Sequence, residues 1–332
     1  MNSRKLASIM ITALALWGCG EPVEPPLEGE TFPERDKVCA AGEAQPCVTV
    51  EDAHTLAERT HEVGNEHNDA TFVYVVNALS IPEADDGVVA GFNLDGIDSG
   101  AGSDDAEDCQ GYAPDYVSST DPDHIGVDNA LESLVGILAE QIVSDTCAGM
   151  PDELGCTLGE QINEGAVLLL LEVSGVESLE YDTDVQLQLF LGAVPAGATL
   201  MVEGGALAPG QAFDVMANLG APVGGDIFAG RLRATTPQLQ LALTVDGMNV
   251  PLTITNPEIR ANVSETGLTN GAIGGELTLA DLQMTVDMLG LDFDIEGVAG
   301  GFADLSPSAA DPLTCEGLSV GITFGATNAT RN

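Results

Sequence analysis

The run VQLQLFL, residues 185–191, places Val185, Leu187, Leu189 and Leu191 on one side of an extended chain and Gln186, Gln188 and Phe190 on the other. A period of two marks a strand, because successive side chains of an extended backbone point to opposite faces. One apolar face and one mostly polar face is what an antiparallel sheet with a wet side needs. The same pattern recurs on the C-terminal side of this run. Leu239, Leu241, Leu243 and Val245 alternate with Gln240, Ala242 and Thr244. Leu252 with Ile254, then Ile259, Ala261 and Val263, keep the period, and LSVGITFGA at 318–326 takes it up again. Asp246-Gly247 and Thr269-Asn270-Gly271 lie between these runs as turn signals. The stretch LADLQMTVDMLG, 279–290, satisfies two templates. Leu279, Leu282, Val286 and Leu289 fit a helix, whereas Leu282, Met284, Val286 and Met288 fit a strand; Gly290 as a C-terminal stop favours the helix.

The N-terminal half reads differently. VEDAHTLAERTH, 50–61, suggests a short polar helix, and TFVYVVNAL, 71–79, a buried strand rich in β-branched and aromatic residues. Residues 83–126 are acidic, Gly-rich and without periodicity, and loops of that length are usually functional, ion-bound or mobile. A helix follows, with Asp128 as N-cap and Leu131, Leu134, Val135, Leu138 and Ile142 forming an apolar stripe. The fold class expected is therefore α+β and mostly β. An antiparallel sheet or sandwich occupies the C-terminal half, with a few helices in the N-terminal half.

The chain has 332 residues, 44% of them apolar, and a formal net charge of −44. That is long and apolar enough for a real core, so the acidity is not that of a disordered tail. Between Arg59 and Arg231 there is no Lys or Arg. Acids in that interval must sit in water, accept backbone hydrogen bonds or bind cations. Nucleic-acid binding is excluded, since neutralising phosphates requires Lys and Arg, and so is electrostatic attachment to anionic lipid. Two readings of the charge stand: solubility in a salty medium, or a need for divalent cations.

Residues 1–19, MNSRKLASIMITALALWGC, begin with Arg4 and Lys5 and continue in an apolar run from Leu6 to Trp17, too short to span a membrane. The run closes on Leu16-Trp17-Gly18-Cys19, which resembles the lipobox of bacterial lipoproteins. That resemblance implies that residues 1–18 are a signal peptide, that Cys19 is lipidated and becomes the first residue, and that Gly20 directs the chain to the outer membrane. The anchor would leave the protein on the periplasmic or the cell-surface face. Several acyl chains, at about 0.8 kcal/mol per buried methylene, give durable attachment. The alternative is an ordinary secretory signal cleaved nearby. The mature chain then carries seven bases against 53 acids, or −46. Residues 19–36 form the lipidated Cys and an acidic, Pro-rich tether with no apolar periodicity, expected to be extended and solvated. The globular remainder resembles lipoproteins of the myxobacterial kind, a likeness that supplies no function. It divides into an acidic, disulfide-containing α+β region, 37–165, and a mainly antiparallel β region, 166–332.

Apart from Cys19 the cysteines are Cys39, Cys47, Cys109, Cys147, Cys156 and Cys315. An even number in an exported chain predicts three disulfides, with fifteen connectivities open. Local pairing of Cys39 with Cys47 and of Cys147 with Cys156, leaving Cys109 for Cys315, is the simplest arrangement.

Two acidic clusters carry the main chemical expectation. Asn93, Asp95 and Asp98 sit in N-x-D-G-x-D, and Asp121, Asp123 and Asp128 in D-P-D-H-I-G-V-D. Calcium takes six to eight hard oxygens, and alternating Asp and Asn around a Gly lets a short loop aim several of them inward. Solvated turns are the alternative, and neither cluster alone fills a calcium shell. His54, His61 and His67 lie near Glu58, Glu62 and Glu66, but the His spacing departs from the metalloprotease pattern, and a solvated helix explains them. Gly317-Leu318-Ser319-Val320-Gly321 matches G-x-S-x-G, yet its flanks read as strand and no His follows it.

The function expected is that of a non-enzymatic cell-envelope lipoprotein, disulfide-bonded and calcium-stabilised, with a binding or structural role. The alternative is a carrier whose amphipathic sheet cradles a lipid or other apolar molecule. A hydrolase with an unrecognised site ranks third.

Overall fold

The computed structural model describes residues 37–39, 47–49, 69–82, 84, 88–95, 115–118, 125–134, 143–144, 146–150, 152–245, 248–288, 295–311 and 314–332. In chain order the strands of the N-terminal half are β1 (Lys37–Cys39), β2 (Cys47–Thr49), β3 (Ala70–Ser80), β4 (Val88–Val89), β5 (Tyr116–Ser118) and β6 (Ile125–Val127). Helix α1 (Glu153–Glu164) leads into β7 (Leu169–Val176), β8 (Tyr181–Ala193), β9 (Val202–Glu203), β10 (Ala206–Leu207), β11 (Gln211–Asn218) and β12 (Val223–Phe228). There follow β13 (Arg231–Thr235), β14 (Gln238–Val245), β15 (Met248–Ser264), β16 (Gly267–Thr278), α2 (Leu279–Met288), α3 (Ile295–Ala299), β17 (Leu305–Pro307) and β18 (Cys315–Arg331).

Alternation makes the strands, and register closes them. β3 pairs with β7, β7 with β8, β8 with β12 and β12 with β13. β13 pairs with β15, β15 with β16, β16 with β18, and β18 returns to β3, every pairing antiparallel. The mostly β class and the antiparallel sheet of the C-terminal half are as expected, but the sheet closes into an eight-stranded barrel and does not stack as a sandwich. The closing strand, β3, comes from the N-terminal half, so the boundary at 165 does not separate two sheets. At one end the ring narrows. Past the starts of β12 and β16, β11 alone bridges the ends of β8 and β18, antiparallel to the first and parallel to the second.

Cross-strand partners occupy the lumen in rows. Ala234, Ile259, Ile273 and Ile322 are successive partners across β13, β15, β16 and β18. Leu187 lies opposite Val173, and Leu189 opposite Leu171, which in turn faces Tyr74. All nine are at most 6% exposed. An eight-stranded barrel has an interior just wide enough for side chains to fill, and each such Leu, Ile or Val contributes about 1.5–3 kcal/mol by burial. Tyr74 completes the row at its polar end, its hydroxyl donating to the carbonyl of Ser264 at 2.8 Å.

Of two local signals, one turns out otherwise and one as expected. Thr269-Asn270-Gly271 is not a turn between strands but lies within β16, where the register with both β15 and β18 slips by one residue. The remainder left over on both edges is Asn270, whose φ is 48°. LADLQMTVDM is helical, as the C-terminal stop argued. The 83–126 region contributes β4, β5 and the start of β6 to a small three-stranded sheet. The expected helix at 50–61 lies outside the described residues; the one after Asp128 is helical over 130–134, and its continuation also lies outside them.

With no base available between Arg59 and Arg231, buried acids there find backbone donors. Asp182, 6% exposed, accepts the N–H groups of Glu177 at 2.7 Å, Ser178 at 3.4 Å and Asp184 at 3.1 Å, and so fixes the turn from β7 to β8. Cys147 and Cys156 form a disulfide that ties the turn before α1 to its first turns. Cys39 and Cys47 are direct cross-strand partners in the β1–β2 hairpin. Cys315 is disulfide-bonded as well, and Cys109 lies outside the described residues.

Candidate functional site

The two acidic clusters meet. Phe92 and Asp128 form a backbone bridge, with the Asp128 N–H donating to the Phe92 carbonyl at 2.8 Å. The Asp128 carboxylate turns back over this bridge and accepts from the N–H of Leu94 at 2.5 Å and of Asp95 at 3.4 Å. It therefore does not cap the helix that follows. That role falls to the barrel: Ser319 Oγ accepts the Ala130 N–H at 2.7 Å, while the Asn129 carbonyl accepts from Glu132 at 3.1 Å. Asn93 and Asp128 are both buried at this junction. Asp98, Asp121 and Asp123 lie outside the described residues.

A further carboxylate, invisible to motif reading, joins them. Asp304, brought over by the turn between α3 and β17, accepts the Ser319 N–H at 2.8 Å and also the Ser319 hydroxyl. Burial pushes Asp304 up to about 7, against the pull of both Ser319 hydrogen bonds, and the charge of Asp115 adds to the rise. Burial raises Asp128 well above the ordinary carboxylate range too, helped by the negative charges of Asp95, Asp304 and Asp115. Among the described residues, no group of three or more His, Cys, Asp or Glu side chains converges as metal ligands do. Asp304 offers no spacing signal in the sequence. Ser319, the centre of the G-x-S-x-G match, stands in mid-strand, wholly buried, and holds Asp304 and Ala130 together.

This clasp fastens Phe92, Asn129 and Ala130 to the outer face of β15, β16 and β18. Phe92 sits in a socket floored by Gly274, where a Cβ would lie 2.1 Å from its ring. Gly321, the partner of Gly274 across β18, receives Asn129 in the same way: its N–H donates to Asn129 Oδ1 at 2.9 Å. Arg260 stacks on the Phe92 ring at 4.6 Å. Glu258 accepts from both Arg260, at 2.7 Å, and Arg233, at 2.9 Å, in a buried three-residue ion cluster. Here the chain's scarce bases are used for structure.

Beside the clasp lies a cleft of about 760 Å³. Its floor is the outer face of β3, β18 and β16; one wall is α1, and residues 90–92, residues 204–206 and Arg231 line the rest. Helix α1 is aligned by its own cap. Asp152 accepts the Gly155 N–H at 2.7 Å and the Ser80 hydroxyl at 2.8 Å, joining the helix start to the end of β3. Glu160 is engaged likewise, accepting from Ser144 at 2.7 Å and Thr146 at 2.5 Å, which hold it below the usual carboxylate range. Gly155, Gly159 and Asn163 follow one another at a spacing of four and so share a helix face on the cleft. Asn163 donates to the Gly205 carbonyl at 2.7 Å, while its shielded Oδ1 has no hydrogen-bond partner.

Two strand irregularities also meet the cleft. Between β18 and β3 the register jumps from Gly325↔Ala78 to Ala326↔Val76, leaving Asn77 as the extra residue. Asn270 is the extra residue of β16, and both asparagines line the cleft. Bulges of this kind re-aim a side chain. Neither could be read from spacing, since a bulge shows in sequence only as a break in the period. Comparison of the chain with known protein families, with curated proteins and with solved structures finds no match.

Proposed function

We propose that this chain is a non-enzymatic lipoprotein of the cell envelope, anchored to the outer membrane by lipid on Cys19, whose filled barrel serves as a rigid support for an external binding surface. The observation that carries the reading is the division of labour in the barrel. Apolar side chains occupy the lumen, and the recess is built on the outside, over β3, β18 and β16. The perturbed acids speak for structure over catalysis, because Asp128 and Asp304 are spent on backbone N–H groups and on Ser319. Calcium belongs to the same proposal. The meeting of Asn93 and Asp95 with Asp128 supports a divalent ion there, as one of two ways to relieve carboxylate repulsion, the other being a proton.

The anchor is tested by expressing the full chain and its Cys19→Ser variant in a Gram-negative host with labelled palmitate. The wild-type chain should take up label and sediment with outer membranes, and the variant should do neither. A wild-type chain without label, released as a soluble protein, would overturn the anchoring.

A further inference from the structure

We propose that the cleft between α1 and the outer face of β3, β18 and β16 binds a neutral, polyhydroxylated ligand, an oligosaccharide. The inference deepens the reading of the protein as an envelope binding lipoprotein and rests on it for biological setting alone. Its volume of about 760 Å³ is in the range of small-molecule sites, roughly 300–1,000 Å³.

The chemistry of the lining selects the ligand class. Three amides reach the cleft from three elements: Asn77 from β3, Asn270 from β16 and Asn163 from α1. An amide offers donors and an acceptor side by side, which suits hydroxyl groups that both give and accept. Asn270 keeps a left-handed backbone at φ 48°, a conformation that asparagine tolerates better than most residues.

Gly159 points the same way. A glycine inside a helix costs about 1 kcal/mol relative to alanine. A Cβ at this position would meet nothing within 4 Å, so packing does not require its absence. The space it leaves open is the cleft itself.

Charge disfavours the other classes. The lining acids Asp152 and Glu160 each already accept two hydrogen bonds from the protein, with which a cation would compete. An anion would find one base in the lining, Arg231, together with these two acids and within a chain whose net charge is −44. A large apolar ligand would cover the amides of Asn77 and Asn270 without offering them partners.

The test is isothermal titration of the full chain in detergent with cellotetraose, maltotetraose and chitotetraose, and with spermidine and tetragalacturonate as charged probes. At least one neutral tetrasaccharide should bind saturably and more tightly than either charged probe. Gly159→Leu, which fills the cleft while improving helix propensity, should weaken that binding by about tenfold or more without lowering the unfolding temperature. Asn270→Gly, which keeps the left-handed bulge and deletes the amide, should weaken it by about tenfold. Absence of saturable binding by all three tetrasaccharides, tighter binding of a charged probe, or undiminished binding by both variants would overturn the proposal. Saccharide binding by a chain found to carry no lipid at Cys19 would support this inference while removing the anchored reading.

Discussion

Asp304 is buried, accepts two hydrogen bonds from Ser319 and is raised from 3.8 to about 7. Its replacement by asparagine is the most direct probe of the clasp. The native state holds this proton at a higher pH than the unfolded chain does, so the contribution of the protonated group is fully present below about pH 4. It is lost as the pH rises through about 7. The displacement corresponds to roughly 4 kcal/mol between the two limits, at about 1.4 kcal/mol per pH unit. Between about pH 5 and pH 8, a window accessible to urea denaturation, the wild-type chain should lose roughly 2–3 kcal/mol from this group alone. Asparagine keeps an oxygen for the Ser319 N–H and has no proton to lose. Asp304→Asn should therefore remove that much of the pH dependence, leaving a smaller slope of the same sign from Asp128. General repulsion among the 53 acids also eases on acidification, but it is screened in about 1 M salt, where the Debye length is about 3 Å, and the buried term is not. The quantity to measure is the difference between wild type and variant at high salt across the pH range. Parallel profiles would show that Asp304 ionises in the native state as it does in the unfolded chain, and the clasp would lose its physical basis.

Two further outcomes follow from the same region. Glu258→Gln leaves Arg233 and Arg260 facing each other in a buried setting without their shared carboxylate, and should lower stability by about 3 kcal/mol in urea titrations. An effect below about 0.5 kcal/mol would mean that the cluster is screened by water. If calcium joins the acidic segments, a chelator should lower the unfolding temperature of the wild-type chain near pH 8, where the proton is a weaker competitor, and Asp95→Ala should abolish that sensitivity. An unchanged melting curve would remove calcium from the account.

The strands were legible because period two is a direct consequence of extended backbone. Val185, Leu187 and Leu189 are buried between the polar Gln186 and Gln188, as their alternation required. Closure was not legible in the same way. TFVYVVNAL does not alternate, and Tyr74, Val75 and Val76 are all buried, because β3 is covered on both faces. A continuous apolar strand of this sort signals two-sided burial without naming its neighbours. The candidate sites were only partly legible, for a related reason. Asn93, Asp95 and Asp128 formed a readable acidic pattern, but Asp304 reaches them across 176 residues of chain from Asp128, with nothing local to mark it. The cleft was invisible because Asn77 and Asn270 owe their positions to bulges, and Asn270-Gly271 mimics a hairpin turn so well that composition argues for the wrong structure. Asp128 shows the limit of capping signals too: a carboxylate before a helix caps it only if no better donor is near, and Leu94 offers one.

The closing pair of the barrel joins Ser80 to Thr323, 243 residues apart, through β18. Until that strand arrives, β3 and β16 each lack the partner that covers their open edge. The barrel cannot close before β18 is in place, and contacts of such separation form slowly. Loss of β18 from the C-terminus would leave two adhesive strand edges exposed at once, the arrangement most prone to pairing with other chains. Closure of the barrel therefore depends on one strand that satisfies both open edges together.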